Sequence, residues 1–402
     1  MNEMISPETT LPATADARTE TLVEFGGDRG EFLRLLMRGA VLELVTVGFY
    51  RFWLATDIRR HLWSRSSAGG DVLEYLGTPK ELLIGFLYAL AILVPIYLIY
   101  FLIGLEAELY QAFASIPLVV FLYFFAQFAI YRARRYRLTR TVWRGVRFWM
   151  TGSGWAFAGI AGLWGLAVLL TLGLALPWQQ AALERYKMRH TLYGDLSGSF
   201  ASSGWSLFRR AGWIWFLSWF AIAACVGLAF VEPISAVLIA IALVIASPVL
   251  FALYRAAEWR WWISGIRFGA VQFESRLRAG ALIGLYWKVI GWSVLLMIGV
   301  SAWWGFAFGA VASSLGADQD PSGMLAVIEH PVVLFALVSG YIMAALAFGV
   351  VVRLYLRRDV WARVVQSSAV ANLEAAHGVA GRGTAASPLG EGFADSLDVG
   401  GL

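Results

Sequence analysis

Six stretches of this chain are apolar over nearly the whole length needed to cross a bilayer as helix, about 20 residues. They are residues 81–104, 113–131, 212–231, 234–254, 281–309 and 332–352. Burying so many long apolar runs inside one soluble core is not feasible for 402 residues, of which 59% are hydrophobic and 19 are Trp; soluble domains carry about 45–50% apolar residues. The mean hydropathy of +0.67 agrees. The expected fold class is therefore an all-α polytopic membrane protein. The first 31 residues are polar, without a basic stretch followed by an apolar run, so no cleaved signal peptide is expected. Cys225, the single cysteine, lies in an apolar run and excludes an intrachain disulfide.

The six runs pair into three hairpins whose connections differ in charge. At 104–112, 231–233 and 309–331 the tips hold Glu106, Glu108, Glu232, Asp318, Asp320 and Glu329 and no Lys or Arg. The opposite ends are basic, with Arg59, Arg60, Arg65, the run 131–147, Arg185, Lys187, Arg209, Arg210, Arg255, Arg260, Arg353, Arg357 and Arg358. The excess of Lys and Arg on cytoplasmic loops makes those ends, and the C-terminus, cytoplasmic. Of 32 basic residues only Lys80, Lys187 and Lys288 are lysine. Guanidinium groups suit bidentate phosphate binding, and a GC-rich genome yields the same bias.

Two further apolar segments, 35–54 and 156–178, contain the near-duplicate phrases TVGFYRFW (46–53) and TLGLALPW (171–178). Were both to cross fully, the later basic loops would change sides, against the charge bias. Both are therefore expected to begin and end on the cytoplasmic face as re-entrant or interfacial helices, bent at the Thr-x-Gly step; eight full crossings is the competing reading. Thr46, Gly48, Trp53 and Arg60 recur as Thr171, Gly173, Trp178 and Arg185, each 125 residues later. Downstream, GVRF (145–148) recurs as GIRF (265–268), offset by 120. The expected organisation is a polar segment (1–29), membrane repeats at 30–152 and 153–276, a partial third at 277–377 with the last hairpin, and a disordered tail (378–402). Like charge at equivalent loops requires a parallel repeat. Glycine-bounded alternation at 70–77, 145–154, 194–204 and 265–275, with 369–375 as a fifth, reads as short paired strands forming a small cytoplasmic β element. Irregular loops are the alternative.

The segments FGGDRGEFLRLLMRG, TVGFYRFWLATDIRRHLW, YLGTPKELLIGF and TLGLALPWQQAALERYKMRHTLYGDLSGSF resemble the YjgN family of multi-pass bacterial inner-membrane proteins over residues 22–377. The second copy follows that family's wording with Arg185 and Tyr186, while the first departs at Val47 and His61. The resemblance implies an inner-membrane location; the family's biochemical role is not established and provides no catalytic residues.

Nothing in the sequence has the spacing of a P-loop or a helical zinc site, and no cofactor or metal is expected. Ionisable or polar residues within apolar segments are functional candidates by default: Glu43, near Arg38 and Arg51, together with Lys288 and Gln127. Glu43 reads either as half of a local ion pair or as the partner of Lys288 across a cavity, and Lys288 reads either as snorkelling to the interface or as facing that cavity. Arg144, Arg147, Arg260 and Arg267, interleaved with Trp, read as an interfacial belt or as a site for anionic lipid headgroups. Membrane lipids and a membrane-protein partner are the expected partners, and nucleic acid is not. Transport or lipid handling, a non-catalytic scaffold or accessory subunit of a membrane enzyme or protease, and an integral-membrane enzyme all remain. A polar cavity reaching the bilayer midplane, lined by Glu43, Gln127 or Lys288, separates the first from the second.

Overall fold

The computed structural model describes residues 20–106, 111–316 and 321–388. Glu108, Asp318, Asp320 and tail residues 389–402 lie outside these. Among the described residues, six helices are long and apolar enough to cross a membrane, as suits a membrane protein.

The all-α expectation with a small β element is overturned by a closed barrel of ten antiparallel strands. In chain order these are β1 (Glu20–Phe25), β2 (Ser66–Ala68), β3 (Asp71–Tyr75), β4 (Thr141–Trp143), β5 (Val146–Met150), β6 (Thr191–Tyr193), β7 (Leu196–Phe200), β8 (Ile266–Phe268), β9 (Val271–Ser275) and β10 (Ser368–Ala371). Each strand pairs with its neighbours in sequence, and β10 closes on β1 with Glu20 opposite Ala371 and Leu22 opposite Ala369. The stretches read as strands, 70–77, 145–154 and 194–204, contain β3, β5 and β7; 265–275 holds both β8 and β9, and the expected fifth, 369–375, overlaps β10. An isolated hairpin is marginal in water; closure leaves no unpaired edge.

Every odd-numbered strand runs into a pair of helices that returns to the next strand. These pairs are α1 (Arg29–Val45) with α2 (Arg51–Ser64), α3 (Pro79–Glu106) with α4 (Gln111–Thr139), and α5 (Gly154–Leu170) with α6 (Leu176–Arg189). They continue with α7 (Gly204–Ala229) and α8 (Pro233–Gly265), then α9 (Ile283–Leu315) and α11 (Pro331–Val352), between which lies the short α10 (Pro321–Ile328). A π-helical stretch, Arg353–Asp359, joins α11 to α12 (Val360–Gln366). Because odd strands all run one way in such a barrel, the five helical pairs leave from one mouth. The other mouth holds four two-residue turns, at 69–70, 144–145, 194–195 and 269–270. At the first two both residues have positive φ, with Gly69 at 62°, Gly70 at 85°, Arg144 at 50° and Gly145 at 74°, the geometry whose twist matches a tight hairpin.

Alternation along the strands turns Val23, Leu73, Phe148, Phe268, Phe273 and Val370 inward, where they cluster with Trp143 and Tyr193. Leu373 and Ala376, from a helical turn after β10, join this cluster and leave an apolar cavity of about 230 Å³. Beyond it the described part of the tail follows the barrel wall: Val379 lies beside Gly194, Gly383 against Trp149, and the Ala386 N–H donates to Thr139 Oγ1 at 3.2 Å.

Each of the two segments expected to be re-entrant or interfacial and bent at its Thr-x-Gly step is a pair of helices, α1–α2 and α5–α6, joined at that step. In both, the Thr-x-Gly step forms the same turn. Thr46 Oγ1 donates to the Leu42 carbonyl at 2.7 Å and accepts from the Tyr50 N–H at 2.9 Å, while the Gly48 N–H donates to the Glu43 carbonyl at 2.6 Å. Thr171 repeats this with Ala167 and Ala175, at 2.8 and 3.0 Å, and Gly173 with Val168 at 2.7 Å. One hydroxyl thus serves the last turn of one helix and the first of the next, whose backbone groups lack partners within their own helix. α5, α6, β6, β7 and α7 begin 125 residues after α1, α2, β2, β3 and α3. The offset of 120 between GVRF and GIRF is corrected by the strands: residues 145–148 run from a turn into β5, whereas 265–268 run from α8 into β8, and the true counterpart of β5 is β9.

Candidate functional site

Two chambers among the helices gather charged residues. The first lies between the tip of the α1–α2 pair and α11, a cleft of about 440 Å³ lined by Glu43, Leu44, Val47, Gly48 and Arg51 on one side and Tyr341, Ile342, Ala345, Leu346 and Arg353 on the other. Asp28 starts α1 by accepting the Glu31 N–H at 2.7 Å, and the apolar face with Phe32 and Leu36 fully buried fixes the helix's rotation. That rotation buries Glu43, 6% exposed, against α11. Two Arg353 nitrogens donate to its two carboxylate oxygens at 3.0 and 2.9 Å, the bidentate fork that strengthens a buried pair. Arg51 lies over the rings of Phe52 and Phe86 at 4.8 and 4.4 Å. Glu43, Arg51 and Arg353 all line this end of the cleft. From this charged end the cleft runs along α11 to Tyr341, about 18 Å away at 1.5 Å per residue.

The second chamber, of about 270 Å³, lies nearer the barrel between α4, α6 and α8 and is lined by Arg134, Gln180, Glu184, Lys187, Arg255 and Glu258 with Trp259, Trp261 and Trp262. Helical spacing places Gln180, Glu184 and Lys187 on one face of α6. Glu184 is paired with Lys187 and lies 3.4 Å from Arg134. Glu258 is paired with Arg255 and accepts from Gln180 Nε2 at 2.9 Å, while the Tyr254 hydroxyl donates to Gln180 Oε1 at 3.2 Å. Burial alone would push the Glu184 carboxyl up, but Lys187 and Arg134 beside it hold it below the ordinary range, so it stays ionised. Burial, aided by Arg134, lowers the Lys187 ammonium.

Of the sequence candidates, Glu43 lines a cavity, yet its partner is Arg353 in place of Lys288, which is exposed on α9. Gln127 is half-buried on α4 and lines neither chamber. The four candidate headgroup arginines are not brought together. Arg144 sits in a turn at the far mouth, over Trp143 at 4.4 Å and paired with Asp71. Arg147 is on β5 and Arg267 on β8, where it donates to the Ile266 carbonyl at 2.9 Å. Arg260 alone is on a helix, with Nε buried and unpartnered. Among the repeated residues, Trp53 stacks on Tyr50 and Trp178 packs on Phe208; Arg60 donates to the Gly77 carbonyl at 2.9 Å, whereas Arg185 is exposed. These residues build the hairpins. Sequence reasoning missed Glu184 and Glu258 because it sought charge only inside the apolar runs; the one-face spacing of Gln180, Glu184 and Lys187 was the available signal.

No group of three or more metal-ligating His, Cys, Asp or Glu residues occurs among the described residues. Comparison with curated proteins and with solved structures gave no match. Residues 20–395 match the family described as "Bacterial protein of unknown function (DUF898)", and the chain belongs to that family.

Proposed function

We propose that this is a lipid-handling protein of the bacterial inner membrane that admits an anionic phospholipid from the side, into the cleft between the α1–α2 tip and α11. The observation that carries the reading is the cleft's polarity: Arg51 and Arg353 line one end beside Glu43 and present the guanidinium donors that suit a phosphate headgroup, and Val47, Tyr341, Ile342 and Leu346 offer an apolar wall for an acyl chain. Val45, Val47 and Phe49 at this tip are 72%, 88% and 56% exposed, a surface that lipid would cover. Arginines crowd the helix ends toward the barrel, which by the positive-inside rule supports a cytoplasmic barrel; the YjgN resemblance supports the inner membrane. A parallel internal repeat of 125 residues accounts for the recurring element order. Native mass spectrometry of the purified protein tests the reading. Retained phosphatidylglycerol or a comparable anionic lipid is expected, with at least a tenfold loss in Arg51→Gln; equal retention in that variant, or no bound lipid, rejects it.

A second reading, a scaffold for a membrane-protein partner, draws on the outer barrel face, where Leu22, Val72 and Leu76 are 59%, 46% and 46% exposed. A protein co-purifying in stoichiometric amount, lost when Leu22 and Val72 become Ser, supports it.

A further inference from the structure

We infer that the chamber between α4, α6 and α8 is a second binding site, for a small organic anion: a carboxylate or phosphate carried on an aromatic or branched apolar body. Glu184 stands 125 residues after Arg59, itself charged and buried, but the fold does not demand a polar group at the other positions. Gln180, Lys187, Arg255 and Glu258 stand 125 residues after Ala55, Leu62, Ile130 and Ala133, all apolar, of which Leu62 and Ala133 are fully buried. Since well-packed apolar residues stabilise a protein at least as well as buried ion pairs, packing does not account for polar groups at the later positions.

The arrangement of those groups selects the ligand. Both carboxylates are already engaged, Glu184 by Lys187 and Arg134, Glu258 by Arg255 and Gln180. Three cations against two carboxylates leave one positive charge. Arg134 is underused, because its Nη2 points at Met188 Sδ at 3.5 Å, a weak acceptor. An anionic oxygen entering the space of about 270 Å³ would meet that guanidinium, and Trp259, Trp261 and Trp262 line the space that its apolar body would fill. Cations that are held in place by their own ion pairs need no reordering to receive it.

Isothermal titration of the full-length protein in phosphatidylcholine nanodiscs with phenyl phosphate, benzoate and inorganic phosphate tests the site. Saturable binding of phenyl phosphate or benzoate, at least tenfold tighter than that of inorganic phosphate, is expected. Arg134→Gln should weaken it at least tenfold, and, since Leu183 of α6 also lines the chamber, Leu183→Trp should abolish it by filling the space while the ion pairs and the fold, checked by thermal midpoint, persist. Arg51→Gln should leave it unchanged, which separates this site from the lipid cleft. Displacement of phenyl phosphate when phosphatidylglycerol is added to the disc identifies the natural anion as a lipid headgroup; no displacement identifies a soluble compound. Absence of saturable binding, inorganic phosphate binding as tightly, or undiminished binding in Leu183→Trp overturns the inference.

Discussion

Two guanidinium nitrogens of Arg353 within 3.0 Å of Glu43 bind helices whose paired residues are 310 positions apart. Removing one partner leaves the other charge buried alone, which costs about 3–5 kcal/mol, whereas replacing both with apolar residues of similar size is often close to neutral. Arg353→Met should therefore lower the thermal midpoint markedly, and the double variant Glu43→Leu, Arg353→Met should recover most of that loss. Additive losses in the double variant would show that the pair does not act as a unit. His61 makes a separate prediction. Its ring lies 5.2 Å from that of Phe32, and its Nε2 is buried without a hydrogen-bond partner. Burial lowers its pKa, with Glu31 opposing and Arg65 and Arg358 reinforcing the shift. The unfolded chain thus takes up a proton near pH 6.5 and the folded chain only at lower pH. Stability should be fully present above about pH 6.5 and fall as the pH drops below it. Melting the wild type and His61→Gln between pH 7.5 and 5 measures this; a variant as acid-sensitive as the wild type would assign the fall to other groups.

At the scale of elements, the Thr-x-Gly turn can be probed in two directions. Gly173 has φ of 92° and Gly48 of 85°, where a Cβ is strained. The residues before them, Leu172 at 51° and Val47 at 51°, already occupy the left-handed region, which a β-branched side chain rarely adopts. Gly173→Ala should destabilise by about 1 kcal/mol or more, and Val47→Asn should stabilise by about 1 kcal/mol, read as opposite shifts in thermal midpoint. These turns were legible because all their determinants lie within five residues. The five-residue strands were legible for a related reason: glycines bound Asp71–Tyr75 and Leu196–Phe200, and alternation shows within them. Three of the four three-residue strands were not. Ser66–Ala68, Thr141–Trp143 and Thr191–Tyr193 each follow a helix after a single residue, too short to display a period of two and easily taken for the helix's last turn. For the same reason GVRF (145–148) and GIRF (265–268) paired unlike positions.

At the scale of the whole molecule, the barrel ties the first and last membrane units together, which no local signal announces. β1 and β10 are separated by nearly the whole described chain, and the Glu43–Arg353 pair bridges the same two units within the helices. If the ring were open at this seam, Arg353 would be free to leave Glu43 and the proposed cleft would have no fixed wall. Closure is tested by cysteine pairs in a Cys225→Ala background, since Cys225 is otherwise the single thiol. Leu22 and Ala369 are directly opposite across the seam, as are Thr21 and Val370. Leu22→Cys with Ala369→Cys should cross-link under mild oxidation, because opposed strand residues have Cβ atoms about 4.5–5.5 Å apart. Leu22→Cys with Val370→Cys should link far less, since a shift of one residue points the side chains to opposite faces of the wall. Equal cross-linking of both pairs, or of neither, would mean that the seam is open or in another register. The proposed cleft would then lose one of its fixed walls.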